Sequence, residues 1–142
     1  KYITKETTMV ELGCYHGIST SLFAHYAKTV HSIDQAQPPW RINQYENIIF
    51  HRGNFVKMLP KIAHLHPEGI DLVYIDGNHS YEKVCQDIEM TLPLIKNTGY
   101  ISGHDYVDRK CIDVIKAVED KIGVEPEIFP DSSWLIKISD IK

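Results

Sequence analysis

The stretch Met9-Val10-Glu11-Leu12-Gly13-Cys14-Tyr15-His16-Gly17 is a short apolar strand that carries an acidic residue and then turns through two glycines. Glycine has no Cβ, so such a turn can present backbone N–H groups and a helix N-terminus to an anionic ligand. The next apolar strand, Thr29-Val30-His31-Ser32-Ile33, stops at Asp34. A carboxylate there could accept hydrogen bonds from both hydroxyls of a ribose. Together the two segments predict a nucleotide-type pocket.

The composition of the 142-residue chain fits one globular domain that spans residues 1–142. A chain of this length, 43% hydrophobic and 24% charged, can bury roughly 70% of its unfolded surface around a single core. The 15 basic residues against 19 acidic ones, with no run of five like charges, provide no basic patch for nucleic acid or an anionic membrane. We therefore expect no nucleic-acid partner.

The same sequence favours a cytoplasmic protein without a membrane partner. No apolar stretch approaches the roughly 20 residues of a membrane span, and the first residues lack the apolar region of a signal peptide. Cys14, Cys85 and Cys111 form no C-x-x-C pair, which argues against a disulfide framework or a structural zinc site. We expect all three to be reduced thiols.

Short continuous apolar runs alternate along the chain with runs of helical spacing. This pattern is typical of strands and helices that alternate around a mainly parallel sheet. Seven strands are predicted, at residues 8–12, 29–34, 48–52, 70–76, 99–104, 125–129 and 133–139. Only Pro130 to Ser132 separate the last two strands, and this connection is too short for a parallel crossover. These two strands are therefore expected to form an antiparallel hairpin.

Four helices are predicted between the strands, each with an apolar face that covers the sheet. Pro60 is expected in the first turn of the second helix, where its missing N–H costs little. After the Pro38-Pro39 break, one or two helical turns are expected over residues 40–46. The four predicted faces are Ile18, Leu22 and Tyr26; Val56, Leu59, Ile62 and Leu65; Val84, Ile88, Leu92 and Ile95; and Cys111, Ile115, Val118 and Ile122.

Over nearly its whole length the chain resembles the class I S-adenosylmethionine-dependent methyltransferases. Residues 11–17 are similar to the first motif of that family, and Asp34 resembles its ribose ligand. Residues 70–81 and 99–106 are similar to the fourth and fifth strands of a subgroup of small-molecule O-methyltransferases, some of which are metal-dependent and act on sugars or natural products. The resemblance implies a Rossmann-like three-layer sandwich with a seven-stranded, mostly parallel sheet and an antiparallel last strand.

The resemblance also implies S-adenosyl-L-methionine as the cofactor. Gly13 and Gly17 would pass close to its methionine portion, and Glu11 would hold its amino group directly or through water. Tyr15 stands in place of the middle glycine of the motif, and Asn54 in place of an acid beside the adenine. Two alternatives stay open: a glycine turn that only lets helix and strand pack, and a Glu11 that accepts nearby backbone donors. The predicted cofactor residues are Glu11, Gly13, Tyr15, Gly17, Asp34, Gln35, Asn54, Phe55 and Asp76.

Asp76 and Asp105 end two strands that should be neighbours at the centre of the sheet. Two carboxylates brought close repel each other unless a proton or a cation intervenes, so a divalent ion such as Mg²⁺ between them is physically reasonable. Such an ion would polarise a hydroxyl of the acceptor. The resemblance points the same way, although Tyr106 follows Asp105 where some relatives supply an amide ligand. In the alternative reading, Asp76 binds the amino group of the cofactor and Asp105 caps a helix.

His79 and His104 lie beside these carboxylates in the sequence. A neutral imidazole can take a proton from a hydroxyl at physiological pH. We therefore predict His79 as the preferred catalytic base, with His104 and Asp105 as further catalytic candidates. Both histidines could also stand near the sheet edge by chance, because the chain has eight.

Other functions fit parts of the sequence. Residues 76–79 and 103–105 are similar to metal-binding motifs of binuclear metallophosphoesterases, but no early Asp-x-His strand end accompanies them. Tyr106 and Lys110 have the spacing of a catalytic pair of nicotinamide oxidoreductases, but the glycine loop lacks a third glycine. A non-catalytic module that binds S-adenosylmethionine is the hardest alternative to exclude. The acceptor is expected to be a small molecule or sugar, and a homo-oligomer could complete its site.

Overall fold

A seven-stranded sheet runs through the computed structural model, which describes residues 1–107 and 111–141. The strands are β1 (Thr8–Leu12), β2 (Thr29–Asp34), β3 (Ile48–Arg52), β4 (Ile70–Ile75), β5 (Ile95–Gly103), β6 (Glu127–Ile128) and β7 (Trp134–Lys137). They lie in the order β3-β2-β1-β4-β5-β7-β6. The strand β7 is antiparallel to both of its neighbours, and the other pairs are parallel. This confirms the predicted fold class.

Four α-helices form the outer layers. They are α1 (Ile18–Tyr26), α2 (Phe55–Leu65), α3 (Tyr81–Thr91) and α4 (Ile112–Ile122). Helices α2, α3 and α4 contribute Ile62, Ile88 and Val118 to the larger core, whereas α1 contributes Ala24 to a smaller core. The carboxyl ends of β1, β2, β4 and β5 meet at one edge, where open α/β sheets bind ligands. Among the described residues, no helix combines the length and apolar character required to cross a membrane.

The hairpin predicted for the last two strands is present. Strands β6 and β7 pair antiparallel, with Ile128 opposite Trp134. In the turn, the backbone N–H of Ser133 donates to Asp131 Oδ1 at 3.0 Å, and Phe129 N–H donates to the Ser133 carbonyl at 2.9 Å. Both strands are shorter than the predicted ranges 125–129 and 133–139, because the turn uses Phe129 and Ser133 and a 3₁₀ turn over Ile138–Asp140 follows β7.

Helix α1 presents the opposite face from the one predicted. Ile18, Leu22 and Tyr26 were expected to cover the sheet, but they are 66%, 55% and 57% exposed. The buried face consists instead of Thr20 and Ser21 with the small Ala24. The reason is that the hydroxyls of Thr20 and the neighbouring Ser19 donate to the buried Glu11 beneath the helix, whereas Ser21 donates to the Gly17 carbonyl at the start of the helix. The helix is therefore oriented by hydrogen bonds.

Helix α2 begins earlier than the sequence suggested. Asn54 caps it by accepting a hydrogen bond from Lys57 N–H, so the helix starts at Phe55 and Pro60 lies in its interior. The expectation that Pro60 stands in the first turn is therefore wrong. Of the predicted apolar face, Leu59 and Ile62 are buried, but Val56 and Leu65 are exposed. Exposure of Val56 and Leu65 leaves a narrower apolar face than the spacing implied.

The end of α3 also differs from the prediction. Ile95 was placed on the helical face with Val84, but α3 ends at Thr91 and Ile95 is the first residue of β5, opposite Ile70. Pro93 explains this, because proline has no N–H to continue α-helical bonding. A 3₁₀ turn over Leu92–Leu94 then leads directly into the strand, which starts four residues earlier than the predicted 99.

Smaller differences concern α4 and the segment after β2. Cys111 precedes α4 as its capping residue, and Ile115 is only partly buried, so the buried face of α4 is centred on Ala117 and Val118. The segment 35–46 contains one 3₁₀ turn, Trp40–Gln44, which agrees with the predicted helical turns.

Three histidines form a chain of hydrogen bonds from the interior to the surface. His31 on β2 is 1% exposed, and its Nδ1 lies 2.9 Å from Nε2 of His51 on β3. Its Nε2 lies 2.8 Å from Nε2 of His66, which in turn contacts Glu68. Burial, with smaller contributions from His51 and His66, lowers the pKa of His31 to about 4. The ring is therefore neutral at physiological pH.

This burial predicts a pH-dependent difference in stability between the wild type and a His31→Leu variant. Between the ordinary pKa of 6.5 and about 4, the unfolded chain binds more protons than the folded one, so the contribution of His31 to stability is lost as the pH falls. Buried Glu11 and Asp87, whose pKa values are raised to about 7, act in the opposite direction. Comparing the wild type with the His31→Leu variant isolates the contribution of His31 to the pH dependence of stability, because Glu11 and Asp87 are present in both proteins.

We expect the unfolding free energy of the wild type, relative to His31→Leu, to decrease by roughly 2 kcal/mol from pH 7 to pH 4.5. Urea titrations at several pH values measure this difference. The exposed His64, replaced by Leu, serves as the control and should show no such trend. A difference for His31→Leu that does not change with pH would contradict a neutral, buried imidazole.

Candidate functional site

A cavity of about 740 Å³ opens at the carboxyl ends of β1, β2, β4 and β5, the edge at which the sequence predicted a pocket. Its walls combine the loop after β1, one side of α1, the ends of β4 and β5, and the hairpin turn. The lining residues are Gly13, Cys14, Tyr15, His16, Ile18, Ser19, Leu22, Phe23, Asp34, Gln35, Phe55, Tyr74, Asp76, Gly77, Asn78, His79, His104, Asp131 and Ser133.

The loop after β1 has a backbone conformation that explains its sequence. Gly13 has φ +97°, and a Cβ at this position would lie 2.2 Å from the carbonyl oxygen of Asp76. Only glycine permits this approach between the ends of β1 and β4. Tyr15 has φ +46°, so it adopts the left-handed conformation for which glycine is the usual residue. Its side chain is 78% exposed and lines the cavity.

Asp34 ties this loop to the end of β2. Its Oδ2 accepts the N–H groups of Cys14 at 2.9 Å and Tyr15 at 3.0 Å, and its Oδ1 accepts Ala36 N–H at 2.9 Å. Although burial favours the neutral form, these hydrogen bonds hold the pKa of Asp34 below its usual value. Asp34 is thus an anion that lines the cavity. Since Oδ1 carries one hydrogen bond and Oδ2 two, Oδ1 has the greater remaining capacity for a ribose hydroxyl.

Glu11 lies beneath the loop instead of on the cavity wall. It is fully buried, and its carboxylate accepts hydrogen bonds from Ser19 and Thr20 of α1, both at 2.5 Å, and from Ser32 of β2 at 2.7 Å. Burial raises its pKa to about 7, an effect that the three hydroxyls oppose. The sequence predicted that Glu11 holds the amino group of the cofactor directly or through water; the structure places its carboxyl group behind the cavity wall, where it joins α1 to β1 and β2.

Two further predicted cofactor residues do not line the cavity. Gly17 has φ +72°, and a Cβ there would lie 2.7 Å from Ile42 and 2.9 Å from Pro39, so it permits packing against the 3₁₀ turn. Asn54 caps α2. Each of these two residues has a structural role, and the sequence alone did not distinguish that role from contact with a ligand. The predicted residues Gln35, Phe55 and Asp76 do line the cavity.

The structure brings the four polar residues at the ends of β4 and β5 together. His79 Nε2 lies 3.1 Å from Asp105 Oδ2 and 3.5 Å from Asp76 Oδ1, and His104 Nδ1 lies 3.3 Å from Asp105 Oδ2. Burial raises the pKa of Asp76, and the nearby Asp105 adds to this rise while His104 and His79 oppose it. The predicted adjacency of these strand ends is confirmed by the pairing of β4 with β5.

These residues fit a divalent cation. Asp76, His104 and Asp105 offer three donor atoms within 4.8 Å of one another, and His79, Asp105 and Cys111 form a second such group. Carboxylate oxygens suit Mg²⁺, and imidazole nitrogens suit first-row transition metals. His104 and Asp105 are each about a quarter to a third exposed, so a ligand in the cavity could reach a cation held there.

Several cavity residues have no signal in the sequence. Leu22 comes from the exposed side of α1, and the partly buried Phe23 of the same helix packs against the ring of Tyr74 from β4. Ser133 of the hairpin turn reaches the same wall, where its Oγ lies 3.3 Å from the Tyr74 hydroxyl. The separation of 59 positions between Tyr74 and Ser133 explains why no local motif connects them. Conversely, Lys110 of the oxidoreductase-like pair lies outside the described residues.

Comparison with curated proteins identifies a relative of unknown function. An uncharacterised protein of Acanthamoeba polyphaga mimivirus is 27% identical over 118 residues, a match that covers 72% of this chain and 53% of that protein. The chain therefore spans about half the length of this curated relative.

Solved structures share the fold at low identity. CalS11, a TDP-rhamnose 3'-O-methyltransferase of calicheamicin biosynthesis, matches with a TM-score of 0.75 and 14% identity, over 95% of this chain and 72% of its own. The mycinamycin-pathway methyltransferase MycE, in a complex with Mg and SAH, matches with a TM-score of 0.68 and 14% identity, over 93% and 45%. The methyltransferase domain family matches residues 10–106. The chain therefore belongs to this family and has the fold of the class I S-adenosylmethionine-dependent methyltransferases.

Proposed function

We propose that the chain catalyses methyl transfer from S-adenosylmethionine to a hydroxyl of a small molecule or sugar. The observation that carries this proposal is the single cavity in which Asp34 and the glycine loop lie on one side and His79 and His104 on the other. Its volume of about 740 Å³ falls within the range of roughly 300 to 1,000 Å³ typical of small-molecule sites. The cofactor and the acceptor could thus bind in the same cavity.

The residues present fit the cofactor. Asp34 is an anionic acceptor for ribose hydroxyls, Phe55 provides an apolar surface, and Gly13 keeps the loop close to the strand ends. When bound, S-adenosylmethionine supplies an electrophilic methyl group on a sulfonium. The task of the protein is to align this methyl group with the acceptor and to exclude water from between them. Leu22 and Phe23 make part of the wall apolar, which supports that exclusion.

We assign the removal of the acceptor proton to His79. Its Nε2 lies between the carboxylates of Asp105 and Asp76, which would stabilise the imidazolium formed when the ring takes a proton. The side chain is 44% exposed and lines the cavity, so it is accessible to a hydroxyl. His104 is the second candidate, since its ring also contacts Asp105.

A divalent cation held by Asp76 and Asp105 is the other way to activate the acceptor. Both carboxylates lie at the cavity end of the central strands, and a cation would relieve their mutual repulsion. Its contribution would be to lower the cost of removing the hydroxyl proton. The Mg in the MycE complex gives a precedent within the fold. We further propose that the protein acts in the cytoplasm.

The assignment of Asp34 predicts that an Asp34→Ala variant binds S-adenosylmethionine at least about tenfold more weakly, because a partly buried, anionic acceptor for the ribose hydroxyls is lost. Isothermal titration calorimetry with S-adenosylmethionine, its demethylated product and NAD measures this. The exposed Asp140, replaced by Ala, is the control, and thermal melting verifies that the variants are folded. Binding of NAD alone by the wild type would overturn the proposal.

A His79→Gln variant should lose roughly 10²- to 10⁴-fold in kcat while retaining its affinity for the cofactor, because a positioned base contributes about this much to proton transfer. Turnover is measured with a methyl acceptor from pH 6 to 9. His64→Gln, at an exposed position on α2, is the matched control. A full rate of the His79 variant across this range would exclude it as the base.

For Asp105→Asn we expect the loss of any stimulation of turnover by Mg²⁺ or Mn²⁺, because the amide lacks the negative charge that holds a divalent cation. The measurement is activity as a function of added metal, with Mn²⁺ binding followed independently by electron paramagnetic resonance. Asp140→Asn is the control. Wild-type activity that is indifferent to chelators would count against the cation.

The competing functions give different outcomes in the same experiments. A non-catalytic module would bind S-adenosylmethionine with normal affinity but turn over no acceptor. A metal-dependent phosphoesterase would hydrolyse a simple aryl phosphate in the presence of a divalent ion and would not require S-adenosylmethionine.

A further inference from the structure

One of the three donor residues at the ends of β4 and β5, His104, differs in kind from the ligands that Mg²⁺ prefers. Mg²⁺ takes oxygen ligands almost exclusively, and it keeps several water molecules. In this chain, an imidazole lies with the two carboxylates: His104, Asp76 and Asp105 place their donor atoms within 4.8 Å of one another. The imidazole adds a nitrogen donor, which suits iron, nickel, copper and zinc, and the affinity of such a site for divalent first-row metals rises from manganese through iron to cobalt.

We infer that Asp76, His104 and Asp105 form a site that selects a first-row transition metal ion over Mg²⁺. This inference rests on the proposed function, since it identifies the class of cation that would activate the acceptor. It also assigns His104 a role as metal ligand, which leaves His79 as the base. The distinction matters because a transition metal polarises a bound hydroxyl more strongly than Mg²⁺ does.

The geometry of the three residues supports a shared ion. His104 Nδ1 lies 3.3 Å from Asp105 Oδ2. Two ligand atoms at about 2.1 Å from one metal, with angles between 90° and 109°, are separated by about 3.0 to 3.4 Å. The observed separation thus agrees with a pair of donors to one ion.

The backbone holds Asp76 and His104 in place, and Asp105 follows in the loop after β5 with φ +62°. Asp76 N–H donates to the Leu12 carbonyl at 2.8 Å, and His104 N–H donates to the Ile75 carbonyl at 3.1 Å. Both residues therefore continue the hydrogen bonding of the central strands. A site on rigid strand ends holds its ligands more firmly than one on a loop.

The position of the three residues favours them over the second donor group. Asp76 and His104 line the cavity in which the acceptor would bind. Cys111, which completes the group of His79 and Asp105, does not belong to the residues that line it. An ion at Asp76, His104 and Asp105 can therefore reach an acceptor hydroxyl, and the two groups can be separated by substitution.

The test is to titrate the full chain with Mg²⁺, Mn²⁺ and Co²⁺ by isothermal titration calorimetry and to record pulsed electron paramagnetic resonance of the Mn²⁺ form. We expect Co²⁺ and Mn²⁺ to bind at least tenfold more tightly than Mg²⁺. The Mn²⁺ spectrum should show the nitrogen coupling of a directly bound imidazole. Neither measurement requires turnover or an identified acceptor.

The decisive variant is His104→Asp, which replaces the nitrogen donor by oxygen. It should lose the nitrogen coupling and reduce the preference for Co²⁺ over Mg²⁺ by at least tenfold, while retaining a cation site. Cys111→Ser, in the second donor group, is the matched control and should retain the wild-type preference. Thermal melting verifies the fold of both variants.

Two outcomes would overturn the inference. One is a wild type that binds Mg²⁺ as tightly as Co²⁺ or binds no cation, and the other is a preference for Co²⁺ that survives His104→Asp. Neither outcome affects the binding of S-adenosylmethionine, which is measured separately. Failure of the metal assignment and failure of the proposed function are therefore distinguishable.

Discussion

The close approach of the loop after β1 to the end of β4 is the constraint on which the rest of the site depends. A Cβ on Gly13 would lie 2.2 Å from the Asp76 carbonyl oxygen, so the two chain segments meet only because residue 13 is glycine. Asp76 N–H donates to Leu12 at the same junction. Asp34 then fixes the loop from the other side through the N–H groups of Cys14 and Tyr15. Three strand ends thereby border one cavity.

The same region explains why α1 is inverted relative to its apolar pattern. Glu11 is buried, and a buried carboxylate requires hydrogen-bond donors. The hydroxyls of Ser19 and Thr20 provide two of them, so the polar side of the helix faces the sheet. Leu22 then points away from the sheet and lines the cavity. Providing hydrogen-bond partners for one buried carboxyl group therefore also gives the cavity part of its apolar wall.

At the opposite side of the cavity, the pairing of β4 with β5 brings two carboxyl groups and two imidazoles close together. Asp76 and Asp105 would repel each other in isolation, and the imidazoles of His79 and His104 lie where they can offset that repulsion. On the basis of this geometry, we propose different roles for the two histidines. His79 contacts both carboxylates and is the more exposed of the two rings, which suits proton transfer, whereas His104 is attached to a strand end, which suits a ligand.

The sequence by itself was sufficient for the strands β1, β2 and β3, for the antiparallel hairpin and for the convergence of Asp34, Asp76 and Asp105 on one edge. These features follow from local apolar runs, short connections and the rule that parallel strands share a carboxyl edge, none of which needs distant contacts. The glycine motif also predicted correctly that a tight loop follows β1 at the edge of the cavity.

Only the tertiary structure decided which candidate residues reach the cavity. Glu11 and Gly17 belong to the same motif as Gly13, yet one is buried under three hydroxyls and the other packs against Ile42. Ser133 lines the cavity although no pattern marks it. The physical reason is that periodicity reports the average polarity of a face. The folded sheet brings distant residues together. These residues decide which groups bond to a buried carboxyl group and which side chain fills the space beside a glycine.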